Sequence, residues 1–174
     1  MRDPRIQTLA RNLVGYSIDC RPGDKVLVEM FGRERELVRA IVEEIQARDG
    51  LPYVNLIDHT VQRSLLKAAT EETVRFWADI DLYRMKRMDA YIGIRAGDNV
   101  NELSDVPDAN MRLYDKGYRH PVHSEQRVKH TKWVVLRYPN PSMAQLANTS
   151  TEAFEDFYFK VCNLDYARMS AAMD

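Results

Sequence analysis

Apolar residues at Ile6, Leu9, Ala10, Leu13 and Val14 recur at helical spacing, and Arg21-Pro22-Gly23-Asp24 then supplies a tight turn. Residues 25–30 (Lys-Val-Leu-Val-Glu-Met) have an apolar, β-branched centre, which predicts a buried strand. A helix starting near Arg33 follows, with Leu37, Val38, Ile41, Val42 and Ile45 on one face, Glu34, Glu36, Glu43, Glu44 and Arg48 on the other, and Gly50 as its stop. Residues 52–57 read as a second strand. Thr70 is a good N-cap, with Glu71 and Glu72 in the first turn and Arg84, Lys86 and Arg87 at the far end, so the next helix runs to about Met88. Residues 90–96 predict a third strand. After a loop over 97–104, residues 106–117 predict a helix, and residues 132–138 a fourth strand centred on Trp133, Val134, Val135 and Leu136. Thr149 and Glu152 have capping-box spacing for a last helix beginning near Ser150. A helical pattern through Leu164, Ala167, Arg168, Ala171 and Met173 continues to the end without a stop.

Strands that alternate with helical crossovers must run parallel, with helices covering both sheet faces. The expected fold is therefore α/β: a single domain with an open, mostly parallel sheet, Rossmann-like and doubly wound, in three layers. Strand order does not follow from the sequence.

The 174 residues suffice for one full core. With 25 Lys and Arg against 26 Asp and Glu, the net charge of −1 provides no global field for nucleic acid, and none is expected as a partner. Cys20 and Cys162 lie far apart in apolar segments and read as free buried thiols, which suits a reducing cytoplasm. No run approaches the roughly 20 apolar residues of a membrane span, so no membrane partner is expected.

Candidate chemistry is sparse. His120, His123 and His130 have spacings that a helix would gather, but Pro121 interrupts it and Arg112, Lys116, Arg119, Arg127, Lys129 and Lys132 oppose a divalent cation. Packed or solvated side chains are the better expectation there. Asp58-His59 has the form of a general base with its orienter, against the simpler reading of a turn histidine. The basic segment 112–132, with Tyr114, Tyr118 and Trp133, has the composition of a phosphate or single-strand contact, against that of a solvated loop. Gly32 and Gly97 stand at strand ends without a phosphate-binding signature, so close packing explains them better. The pairs Glu155-Asp156 and Asp79-Asp81 are expected on wet helix faces, and no serine or cysteine has the context of an activated nucleophile.

The run Tyr138-Pro139-Asn140-Pro141-Ser142-Met143-Ala144-Gln145-Leu146-Ala147, continuing through Thr149 to Glu155-Asp156-Phe157-Tyr158-Phe159, carries a more specific message. With Leu9-Ala10-Arg11-Asn12-Leu13-Val14-Gly15-Tyr16-Ser17, Arg21-Pro22-Gly23-Asp24-Lys25-Val26-Leu27-Val28-Glu29 and Arg95-Ala96-Gly97-Asp98-Asn99, it resembles the N-terminal domain of the metal-dependent aminopeptidases of the S and T type, also called thermophilic leucyl aminopeptidases. The resemblance implies a dimeric, cytoplasmic, two-domain exopeptidase acting on peptides with two divalent metal ions, zinc or cobalt. In that family the ligands belong to a C-terminal catalytic domain, which is expected to lie beyond residue 174. No catalytic residue, metal ligand or cofactor is then expected in this chain, which would be inactive alone. Tyr138, Asn140, Ser142 and Gln145 are the residues expected to face the interdomain cleft, because the Pro-x-Pro loop emerges at the carboxyl end of a strand. The alternatives are a self-contained module binding a nucleotide or phosphorylated small molecule near Gly32 and Gly97, and a purely structural or oligomerisation domain.

Overall fold

The structure, a computed structural model, describes residues 3–173. Its elements are α1 (Pro4–Arg11) running into a π-helical turn (Asn12–Ser17), β1 (Lys25–Gly32), α2 (Arg35–Gln46), β2 (Leu51–Ile57), α3 (His59–Lys67), α4 (Glu71–Met85) and β3 (Ala90–Ala96). There follow α5 (Asp108–Tyr114), a wide π-helical stretch (Asp115–Arg127), α6 (Val128–His130), β4 (Lys132–Arg137), α7 (Pro141–Leu146), α8 (Thr151–Cys162) and α9 (Tyr166–Met173).

The four strands are all parallel in the order β2-β1-β3-β4. The chain moves from β1 to one neighbour, then crosses back to the other side, so the winding direction reverses between β1 and β3. In open α/β sheets ligands bind outside the carboxyl ends of strands at this kind of switch point. Gly32 makes the close approach there possible. Its φ is +125°, and a Cβ would sit 2.2 Å from the Ala96 carbonyl oxygen.

Each sheet face has its own core, as the period of two in a strand requires. Val26, Val28 and Met30 of β1 join Ala90, Ile92 and Ile94 of β3 against α1, α2 and the aromatic pair Tyr158 and Phe159 of α8. Opposite them, Leu27 and Tyr91 pack with Ala78 and Met85 of α4 and Val122 of the π-helical stretch. These faces make the expected three layers. Leu37, Ile41 and Ile45 are fully buried from α2, each worth about 1.5–3 kcal/mol relative to exposure.

The outer strands show why pattern alone underdetermines exposure. β2 is an edge strand: Pro52, which has no N–H to donate, is tolerated there, and Leu51, Tyr53, Val54 and Leu56 are exposed. Trp133 is likewise exposed on the opposite edge.

Several expectations are corrected. Two short helices, α3 and α7, stand where none was expected. The helix expected near Arg33 begins at Arg35, capped by Glu34. α8 is capped by Ser150, whose hydroxyl accepts from the Ala153 N–H at 3.2 Å, whereas the Thr149 N–H donates to the Ala144 carbonyl, so no Thr149–Glu152 box forms. The segment read as a solvated loop is helical: α5 widens into π turns that carry Pro121, which cannot donate to a regular ladder. Cys20 is buried, but Cys162 is only half-buried; both are free thiols.

Candidate functional site

The Pro-x-Pro loop borders a cleft of about 370 Å³ at the carboxyl ends of β1, β3 and β4. Asn140 builds its floor. Its side-chain oxygen caps α7 by accepting from the Met143 N–H at 2.9 Å, and its Nδ2 donates to the Gly97 carbonyl at 2.8 Å. One buried amide thus ties the β4 exit to the β3 exit, with Pro141 in the first turn of α7, where its missing N–H costs nothing. Tyr138 is buried edge-on against Tyr158 and Phe159, and desolvation pushes its phenol well above the usual range, so it stays neutral. Tyr138 and Asn140 line the cleft together. Ser142, half-buried, and Gln145, exposed, lie on α7 and are not among its lining residues.

The cleft is acidic. Asp3, Glu34, Glu36, Asp98 and Glu155 border it, with Arg33 as the one cation among the lining residues. Two of these carboxylates have local duties. Asp3 accepts from Arg5 at 2.8 Å, a hydrogen bond that lowers its pKa, and Glu34 accepts from the Glu36 N–H as the cap of α2.

Across the sheet lies a larger cavity of about 720 Å³, which sequence reasoning missed. Its floor holds an ion pair between Glu29 and Arg127, 1% and 3% exposed. Arg127 donates through Nη1 and Nη2 to the two carboxylate oxygens at 3.0 Å each, and its guanidinium carbon lies 4.3 Å over the Tyr91 ring. The Tyr91 hydroxyl donates to Glu29 at 2.9 Å. Asn55 links Glu29 to Arg84, which pairs with Asp81 at 2.6 Å, and the Tyr118 hydroxyl donates to that same carboxylate. Asp81 is therefore part of a buried-side network rather than a wet face. Glu29 within an otherwise apolar strand was the available signal, because a carboxylate at such a position demands a partner.

The histidines do not form a metal site. His120 is exposed beside Glu125, His130 is exposed on α6, and His123 turns inward against Tyr91. Burial, followed by Arg127, Arg95 and Arg119, lowers the His123 pKa. Asp58 does not orient His59. It caps α3 by accepting from the Thr60 and Val61 N–H groups, while His59 packs on Phe31 and over Gly97. Gly97 and Gly32 serve close packing, as expected.

A doubly wound parallel sheet with clefts at its strand ends defines an α/β domain. The chain belongs to the thermophilic metalloprotease (M29) family, whose family model matches residues 2–172. Among solved structures it is similar to wild-type AmpT from Thermus thermophilus, with a TM-score of 0.70 at 14% identity, covering 92% of this chain and 43% of that one. The chain thus spans less than half the length of that structure. No curated protein matches it in sequence.

Membership of a metalloprotease family implies a divalent metal. Among the described residues, no three His, Cys, Asp or Glu side chains converge to hold one. Of the five cleft carboxylates, Asp3 and Glu34 are already engaged, by Arg5 and by the Glu36 N–H, so the described residues present no preassembled ligand set for that metal. Among the described residues, no helix is long and apolar enough to cross a membrane.

Proposed function

We propose that this chain is the N-terminal, chamber-shaping domain of a two-domain aminopeptidase of the S and T, leucyl, type, working in the cytoplasm as a homodimer. In this reading a C-terminal catalytic domain holds a pair of zinc or cobalt ions and cleaves the N-terminal residue of a peptide. The domain described here positions and encloses the substrate without reacting with it.

The observation that carries the reading is the thermophilic metalloprotease (M29) family match over residues 2–172, with 92% of this chain corresponding to 43% of the longer AmpT chain. The acidic cleft adds a physical role. Five lining carboxylates, one of them paired with Arg5, against the single lining guanidinium attract the α-ammonium of an arriving peptide, over a range of about 8–10 Å at ordinary ionic strength. Asn140 holds the Pro-x-Pro rim of that cleft in place, and buried, neutral Tyr138 backs it.

The test is hydrolysis of leucine p-nitroanilide with added cobalt or zinc. The chain alone should show no turnover above metal blanks, and the same chain continued into a C-terminal domain should show it. Turnover by the 174-residue chain would refute the reading.

A further inference from the structure

The 720 Å³ cavity is of a size that encloses a small organic molecule, and it lies at the β1/β3 switch point. Leu56, Val61, Leu65, Ile80 and Met111 contribute apolar wall. Three carboxylates, Glu29, Asp58 and Asp81, and three guanidiniums, Arg95, Arg119 and Arg127, line it, but their pairing is uneven. Glu29 is satisfied by Arg127, Asp81 by Arg84 and Tyr118, and Asp58 by the amides of α3, so each lining carboxylate already has its partner.

The donors are in surplus. Arg95 stacks its guanidinium 3.9 Å over the Phe31 ring, and it forms no side-chain hydrogen bond or ion pair among the described residues. Arg127 is 3% exposed, yet its Nε has no hydrogen-bond partner, and the buried Nδ1 of His123 has none either. A buried N–H without an acceptor is costly, so such groups call for an explanation. Arg95, His123 and Arg127 all line this one cavity, so these nitrogens share a neighbourhood.

We propose that this cavity binds an amphipathic carboxylate, a small molecule with an apolar body held by the Leu, Val, Ile and Met wall and a carboxylate head received by Arg95 and the unpartnered nitrogens of His123 and Arg127. The apolar wall distinguishes this ligand from inorganic phosphate, which has no apolar body to set against it. Stacking on Phe31 holds Arg95 in place before the ligand arrives, which lowers the ordering cost of binding.

The test is calorimetric titration of the chain with 4-phenylbutyrate, its neutral isostere 4-phenylbutyramide, and inorganic phosphate. The acid should bind saturably and the amide roughly ten-fold or more weakly, the difference a charge-assisted hydrogen bond supplies. Arg95→Gln should weaken the acid by a similar factor and leave the amide unchanged. Absence of saturable acid binding, equal affinity for acid and amide, or phosphate binding as tightly as the acid would each overturn the assignment. The acid–amide comparison needs only the unaltered chain, so the proposal remains testable if the variant folds poorly.

Discussion

Replacing Arg127 with Met strands Glu29, 1% exposed, beneath α4 and the π-helical stretch without its countercharge. Two charge-assisted hydrogen bonds of 3.0 Å vanish, and only the Tyr91 hydroxyl at 2.9 Å and the longer Asn55 contact at 3.4 Å still serve the carboxylate. Breaking one side of such a buried pair costs about 3–5 kcal/mol. For a domain of this size that corresponds to a melting temperature lower by roughly 6–20 °C. Glu29→Gln in the Arg127→Met background removes the orphaned charge while keeping an acceptor for Tyr91. The double variant should therefore regain a large part of the loss, with a coupling energy of about 1–3 kcal/mol. Urea unfolding of the four proteins measures each corner of the cycle. If Arg127→Met costs under about 1 kcal/mol, or the two substitutions simply add, the pair is not the buried, mutually dependent element described here.

Gly32→Ala should destabilise the domain by roughly 2–4 kcal/mol, because φ is +125° and the new Cβ would meet the Ala96 carbonyl; thermal melts check it. Asn140→Ala removes both the α7 cap and the bond to Gly97 and should cost about 1–3 kcal/mol, whereas exposed Gln145→Ala should stay within about 0.5 kcal/mol. For Asp24, burial acts to raise the pKa, but the Lys132 ammonium at 2.6 Å and the Arg21 N–H outweigh it and hold the carboxyl below its ordinary value. Its contribution is complete above the unfolded value of about 3.9 and fades as pH falls through the folded one. Asp24→Asn should therefore flatten the decline of the urea midpoint as pH falls below about 4.

The alternation of strand and helix was legible because buried parallel strands such as β1 and β3 read as unbroken apolar runs, and α2 carries a clean stripe. Strand order was not legible, since it depends on which side of β1 each crossover returns. α3 escaped notice because Asp58, its cap, is also a plausible catalytic partner of His59 in one dimension. Beyond the helix expected over 106–117, residues 118–127 read as a loop because Pro121 and its charged neighbours break a 3.6-residue pattern, yet π turns accept the proline and bury Val122 and Arg127. Of the four residues read as cleft candidates, Tyr138 and Asn140 line the strand-end cleft through the Pro-x-Pro turn, while Ser142 and Gln145 do not. The Glu29–Arg127 pair spans 98 positions, a separation that no local pattern reveals.

Equilibrium dialysis of this chain against zinc, followed by elemental analysis, tests most directly whether metal chemistry resides in these residues. No metal should be retained after exchange into metal-free buffer. Stoichiometric zinc held by the chain, abolished by substituting His123 or the cleft carboxylates, would contradict it.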